Sequence, residues 1–132
     1  MRIEHIAIWA SDLEAMKGFY TKYFHGEANQ KYINRQKKFA SYFISYQSGA
    51  RLELMSKEGI PDNQNEVGMQ YKGLTHFAFD VGDQAKVDSL TEQIRLAGYS
   101  VLDGPRRTGD GYYESTILDP EGNQVEIACS LQ

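Results

Sequence analysis

Two histidines and two glutamates recur in this chain at nearly matched spacing. His5 and Glu53 lie 48 residues apart, and His76 and Glu126 lie 50 apart. Their neighbours recur too. Ile3-Glu4-His5-Ile6-Ala7-Ile8 aligns with Leu74-Thr75-His76-Phe77-Ala78-Phe79 at an offset of 71, and Gly49-Ala50-Arg51-Leu52-Glu53-Leu54 aligns with Gly122-Asn123-Gln124-Val125-Glu126-Ile127 at an offset of 73. Two carboxylates brought close together repel, and burial adds a desolvation cost that a divalent cation removes. Two imidazole nitrogens with two carboxylate oxygens suit Ni²⁺, Zn²⁺, Co²⁺, Fe²⁺ or Mn²⁺. An octahedral ion held by these four would keep two positions open for water or substrate. A lone strand histidine is usually only a hydrogen-bonded residue, and a strand glutamate usually faces solvent. Recurrence at matched places of a repeat is what sets these four apart.

The elements that must position them also repeat. Residues 2–9 alternate as a strand, Asp12 caps a following helix, and Leu13, Met16, Phe19, Tyr20, Tyr23 and Phe24 recur at helical spacing up to a stop at Gly26. Strands are expected at 30–35, 39–47 and 50–56. Residues 57–72 carry turn formers with little periodicity and read as a linker. The second half predicts a strand at 73–81, then a helix at 83–97 carrying Val87, Leu90, Ile94 and Leu96. Strands at 99–103, 112–118 and 124–129 follow, with a loop from Gly104 to Gly111 and a tight turn at Asp119-Pro-Glu-Gly-Asn123. The expected fold is therefore α+β: one domain of 132 residues, with module 1–56, linker 57–72 and module 73–132 each running β-α-β-β-β. Side chains alternate between strand faces. Glu53 and Glu126 are flanked by Leu52, Leu54, Val125 and Ile127, so if those pack under the helices the carboxylates and both imidazoles share the opposite face.

Composition narrows the partners. A net charge of −4 argues against a nucleic-acid binder, which would carry a basic stripe. No apolar run is long enough to span a membrane, and the start has no signal-peptide core. The single cysteine, Cys129, suits a reducing cytoplasm and falls on the helix-facing side. Trp9, Tyr42, Tyr46, Tyr112 and Tyr113 are candidates to line an apolar pocket, and Arg106 and Arg107 could reach a substrate carboxylate. Exposed sheet edges in each half predict a homodimer, with the four ligands converging either within one chain or across it.

These residues resemble the vicinal oxygen chelate superfamily, which includes glyoxalase I, fosfomycin-resistance thiol transferases, extradiol dioxygenases, methylmalonyl-CoA epimerases and bleomycin-binding proteins. The resemblance rests on His5-Ile-Ala-Ile with Asp12-Leu13 and Phe19-Tyr20, on Gly73-Leu-Thr-His76-Phe-Ala-Phe-Asp-Val81, and on Asp119-Pro-Glu-Gly-Asn-Gln-Val-Glu126. It implies tandem modules forming a cup-shaped mixed sheet with helices on the convex face. Within the superfamily a His, Glu, His, Glu set is similar to glyoxalase I (lactoylglutathione lyase). That implies one divalent metal on His5, Glu53, His76 and Glu126, and a small vicinal-oxygen substrate. The substrate class would be the hemithioacetal of an α-oxoaldehyde and a thiol, isomerised through a metal-bound enediolate with Glu126 as base and Glu53 as its partner. Trp9 stands four residues after His5, where the resemblance to glyoxalase I implies an arginine that helps hold glutathione. The segment Thr108-Gly-Asp-Gly-Tyr-Tyr-Glu114 is similar to small bacterial glyoxalase-like proteins. Epimerase or thiol-transferase chemistry, and a non-catalytic resistance-type binding role, are the alternatives within the same resemblance.

Overall fold

Asp12 caps the first helix as expected, and Asp83, its counterpart in the repeat, caps the second. In the computed structural model, which describes residues 1–132, Asp12 accepts a hydrogen bond from the Ala15 amide (3.0 Å) and Asp83 from the Lys86 amide (2.8 Å). The chain divides into two compact units, Met1–Asn63 and Gln64–Gln132.

The first unit runs β1 (His5–Trp9), α1 (Leu13–Phe24), β2 (Glu27–Ala28), β3 (Tyr32–Asn34), β4 (Phe39–Ser45) and β5 (Arg51–Lys57). Its sheet has the order β1-β5-β4-β2, with β3 also on β4; β1 lies parallel to β5 and the other pairings are antiparallel. The predicted stripe of α1 is buried in full, from Leu13 to Phe24. It packs on Tyr42, Ile44, Leu52 and Leu54. Each such fully buried apolar side chain contributes about 1.5–3 kcal/mol of transfer free energy.

The helix stop differs from expectation. His25, with φ 55°, takes the left-handed position at the end of α1 and donates its amide to the Tyr20 carbonyl. Gly26 has another job: a β-carbon there would lie 2.3 Å from Ile44 Cγ2 and 2.8 Å from Tyr46 Cε1. It is glycine because the chain passes hard against β4. The short strand β2, which has no periodicity to announce it, begins next.

The second unit runs β6 (His76–Asp80), α2 (Gln84–Leu96), β7 (Val101–Arg107), β8 (Tyr112–Leu118) and β9 (Gln124–Ser130), in the order β6-β9-β8-β7. Again the first strand lies parallel to the last. Beneath α2 are Ser115, Ile117, Val125, Ile127 and Cys129, all buried. Burial pushes the Cys129 thiol above its ordinary range.

Two expectations are corrected in this unit. Leu96 is 73% exposed, because the buried stripe of α2 is Val87, Thr91 and Ile94. Thr91 enters the core by spending its hydroxyl on the Val87 carbonyl and on Ser115 Oγ, both at 2.6 Å. The expected loop from Gly104 is strand as far as Arg107, because β7 stays on β8 through register shifts between Val101 and Asp103 and between Asp103 and Arg106. The turn at Asp119 forms as read: its carboxylate accepts the Glu121 and Asn123 amides at 2.9 and 3.0 Å. No helix is long and apolar enough to cross a membrane.

Candidate metal centre

Strand register decides where the four predicted ligands go. Parallel pairing sets Ala7 opposite Glu53 and Ala78 opposite Glu126. His5 and His76 lie two residues before those alanines, so in each unit the imidazole and carboxylate share the sheet face away from the helix. His5 Nε2 is 3.6 Å from Glu53 Oε2, and His76 Nε2 is 3.1 Å from Glu126 Oε1. Glu53 and Glu126 side chains are 15% and 18% exposed, against 42% and 38% for the two histidines. Each unit thus holds a carboxylate low on its sheet with an imidazole nitrogen at the rim beside it. The four predicted ligands lie as one His–Glu pair in each unit, with no group of three or more His, Cys, Asp or Glu arranged to hold an ion.

The donor geometry of each pair fits half of a metal site. Nitrogen and oxygen donors on one Zn²⁺-sized cation sit about 2.0–2.2 Å from it, which places neighbouring donors about 3.0–3.4 Å apart. The second pair already has that spacing, and the first needs only a few tenths of an ångström.

The two imidazoles are supported differently. His5 Nδ1 bonds the Glu4 carboxylate, and Arg51 holds Glu4 from the other side, donating from Nε to Oε1 at 2.8 Å. The Arg51 guanidinium lies over the Phe43 ring at 4.1 Å, and His5 meets the same ring edge-on at 5.5 Å. His76 Nδ1 has only the Thr75 hydroxyl at 2.9 Å.

The other predicted site residues scatter over both faces. Trp9 is on the His5 face, edge-on to Phe39 at 6.1 Å, and Tyr32 meets Phe39 at the same distance. Arg106 is opposite Glu114 in register, on the Glu126 face, and binds Asp103 through Nε at 2.6 Å. Tyr113 is turned the other way, toward α2, and donates to Asp88 at 2.7 Å. That bond holds its hydroxyl above the usual tyrosine range. Arg107 is opposite Tyr113 in register and shares that face. Tyr42 also points to the helix side, donating to Glu14 at 2.9 Å, and Tyr46 packs beside Gly26. The alternation that placed Glu126 would have shown Tyr113 to be out of phase, since the two lie on neighbouring strands whose register sets Glu126 against Thr116.

Sequence reasoning passed over three residues on the open faces: Phe43, Phe39 and Glu114. Phe43 pairs with Glu53, and Glu114 is two residues from Thr116, the partner of Glu126. Burial first, and the nearby Glu126 charge second, push the Glu114 carboxyl above its ordinary range. The signal for all three was their strand parity with the ligands.

Among solved structures, the trypanothione-dependent glyoxalase I of Leishmania major is similar at 23% identity and a TM-score of 0.77, over 98% of this chain and 86% of that one. A glyoxylase/bleomycin resistance protein/dioxygenase domain from Frankia sp. EAN1pec is similar at 17% identity and a TM-score of 0.79, over 98% of both chains. The lactoylglutathione lyase of Agrobacterium tumefaciens is similar at 27% identity and a TM-score of 0.67, over 96% of this chain and 91% of that one. A search of curated proteins found no match. The family model described as Glyoxalase/Bleomycin resistance protein/Dioxygenase superfamily matches residues 2–127. With the paired β-α-β-β-β pattern and its repeated His–Glu pair, that match over nearly the whole length means that this chain belongs to the glyoxalase/bleomycin resistance protein/dioxygenase superfamily.

Proposed function

We propose that this protein is a metal-dependent lyase or isomerase of the glyoxalase I type, acting on the hemithioacetal of an α-oxoaldehyde and a thiol. The observation that carries the reading is the duplicated His–Glu pair, with N···O separations of 3.6 and 3.1 Å on the open faces of the two units. His5, Glu53, His76 and Glu126 together would hold one divalent ion per site, in a homodimer. Such an ion supplies Lewis-acid polarisation of two adjacent substrate oxygens, which acidifies the neighbouring C–H bond.

The protein's own residues do the rest. Glu126 takes the proton from one carbon through a carboxylate oxygen and returns it to the adjacent carbon. A carboxylate held on a cation would be a weak base, so Glu126 would serve as the base only with the proton-accepting oxygen free of the ion. Glu53 is its counterpart in the first unit. Arg106, which shares the Glu126 face, would meet an anionic group of the substrate, and Trp9 with Phe39 would wall the thiol portion.

Titration of metal-free protein with Ni²⁺ and Zn²⁺ tests the ligand set. Binding of one ion per chain, lost when His5 and His76 are both changed to Ala, is expected. No binding tighter than millimolar would overturn the reading. Hemithioacetals made from several thiols then test turnover in the metal-loaded protein. A second reading, capture of a small apolar molecule without chemistry, rests on the exposed Trp9 and Tyr32 beside Phe39. It predicts ligand binding that is indifferent to metal.

A further inference from the structure

We infer that Glu4 and Arg51 are positioning residues that lock the His5 ring in its Nδ1–H form, leaving the Nε2 lone pair bare toward Glu53. The inference takes His5 as a metal ligand from the proposal above. An ionised carboxylate can only accept hydrogen bonds, so the nitrogen that bonds it must carry a proton. Glu4 Oε2 is the partner of His5 Nδ1. A neutral imidazole carries one proton in total, so Nε2 is then an acceptor, the state that ligation requires.

Glu4 is itself held in place. Its other oxygen, Oε1, takes the Arg51 Nε hydrogen bond at 2.8 Å and an Nη2 contact. The Arg51 amide also donates to the Glu4 carbonyl at 2.9 Å, tying β5 to the residue just before β1. Phe43 floors the arrangement, beneath the guanidinium and against the His5 edge. The second unit has none of this. Thr75, Gln124 and Thr116 stand at the positions of Glu4, Arg51 and Phe43 in the repeat. The Thr75 hydroxyl can donate or accept, so the choice at His76 falls to Glu126, whose Oε1 lies 3.1 Å from Nε2 and favours a proton there, whereas Glu53 at 3.6 Å is beyond hydrogen-bond reach of His5 Nε2. One imidazole is preset with Nε2 bare, and the other must give up its Nε2 proton before that nitrogen can ligate. Carboxylate partners of this kind orient a ligand ring and raise its donor strength, and their loss usually costs about 10- to 100-fold in metal affinity.

The test reads ring nitrogens by ¹⁵N NMR in metal-free protein at pH 8, with each histidine assigned from its own substitution. His5 is expected as a single Nδ1–H form, and His76 as mainly the opposite, Nε2–H form. Glu4→Ala, at an exposed site, should convert His5 to a mixture and weaken Ni²⁺ binding about 10- to 100-fold. Arg51→Met should move both readouts in the same direction by less, while Thr75→Val leaves His5 unchanged. An unaltered His5 spectrum in Glu4→Ala would overturn the inference, as would a converted spectrum with unaltered Ni²⁺ affinity. Failure of the parent protein to bind Ni²⁺ would remove the ligand reading instead, and the His5 spectrum would still decide the tautomer.

Discussion

The two units share one face and differ on the other. Leu54 and Ile127 occupy the same place in the repeat and are both fully buried, as are Ile44 and Ile117. On the open faces the first unit presents Trp9, Phe39 and Phe43 around His5 and Glu53, while the second presents Asp80, Tyr112 and Thr116 around His76 and Glu126. Ser41 of the first unit corresponds to Glu114 of the second. The helix-facing side is constrained by packing, where a change of one methylene is felt. The open side needs only strand parity, so its chemistry is free to differ. Under the proposed function, the aromatic half around His5 and Glu53 would hold the apolar part of the substrate, and the acidic half around His76 and Glu126 would carry out proton transfer.

That division can be broken most sharply at the carboxylates. Glu126→Gln in metal-loaded protein should lower hemithioacetal turnover by about 10²- to 10⁴-fold with the ion retained, and Glu53→Gln should lower it less. Equal losses, measured by initial rates together with metal content, would mean the two halves are chemically equivalent.

The shared face should respond equally in both units. Leu54→Ala and Ile127→Ala are each expected to destabilise the fold by about 2–5 kcal/mol in urea unfolding. A large inequality would show that one unit carries the stability of the chain.

The glycines after the two helices sharpen the contrast at smaller cost. Gly26→Ala forces a β-carbon against Ile44 and Tyr46 and should cost about 1–3 kcal/mol. Gly98 sits at φ 95° with open space around it, so Gly98→Ala should cost about 1 kcal/mol from backbone strain alone. In an Ile44→Ala background, itself costly, the added loss from Gly26→Ala should shrink while that from Gly98→Ala stays the same.

Acid should act on the two units with opposite sign. Hydrogen bonds from Lys31, Tyr42 and Lys17 bring the Glu14 carboxyl from 4.5 down to about 2. Its folded value lies below the unfolded one, so its stabilisation is complete above about pH 4.5 and is lost as the pH falls toward 2. Glu14 is half exposed, so Glu14→Gln should cost only about 0.5–1 kcal/mol at neutral pH, and the difference should vanish near pH 2. Glu114 is shifted upward, so its charged form is disfavoured in the fold, a cost present at neutral pH and relieved on acidification. Glu114→Gln should therefore stabilise slightly, by up to about 0.5 kcal/mol, when unfolding is followed from pH 7 to 3.

Much of this was legible in the residues. The Asp12 cap, the buried stripe of α1, strand β8, the Asp119 turn and the burial of Cys129 follow from local chemistry and periodicity, which neighbours along the chain suffice to express. The fold class and family also follow, because paired motifs at a constant offset mark a repeat. What the residues did not show depends on partners distant in sequence. Nothing near Tyr113 says that Asp88 awaits its hydroxyl, and nothing near Thr91 says that Ser115 lets it into the core. His25 takes the left-handed turn because Gly26 is needed against Ile44, a residue on β4.

The sequence by itself determined that two His–Glu pairs exist, which strands carry them and which face they share. The tertiary structure decided the parallel register that sets Ala7 against Glu53 and Ala78 against Glu126, and with it the 3.6 and 3.1 Å approaches. It also decided that Glu4 and Arg51 close around one imidazole while the other keeps only a hydroxyl. Parity is a property of each strand, written in its own residues; register is a property of two strands far apart in the chain, and only folding brings them side by side.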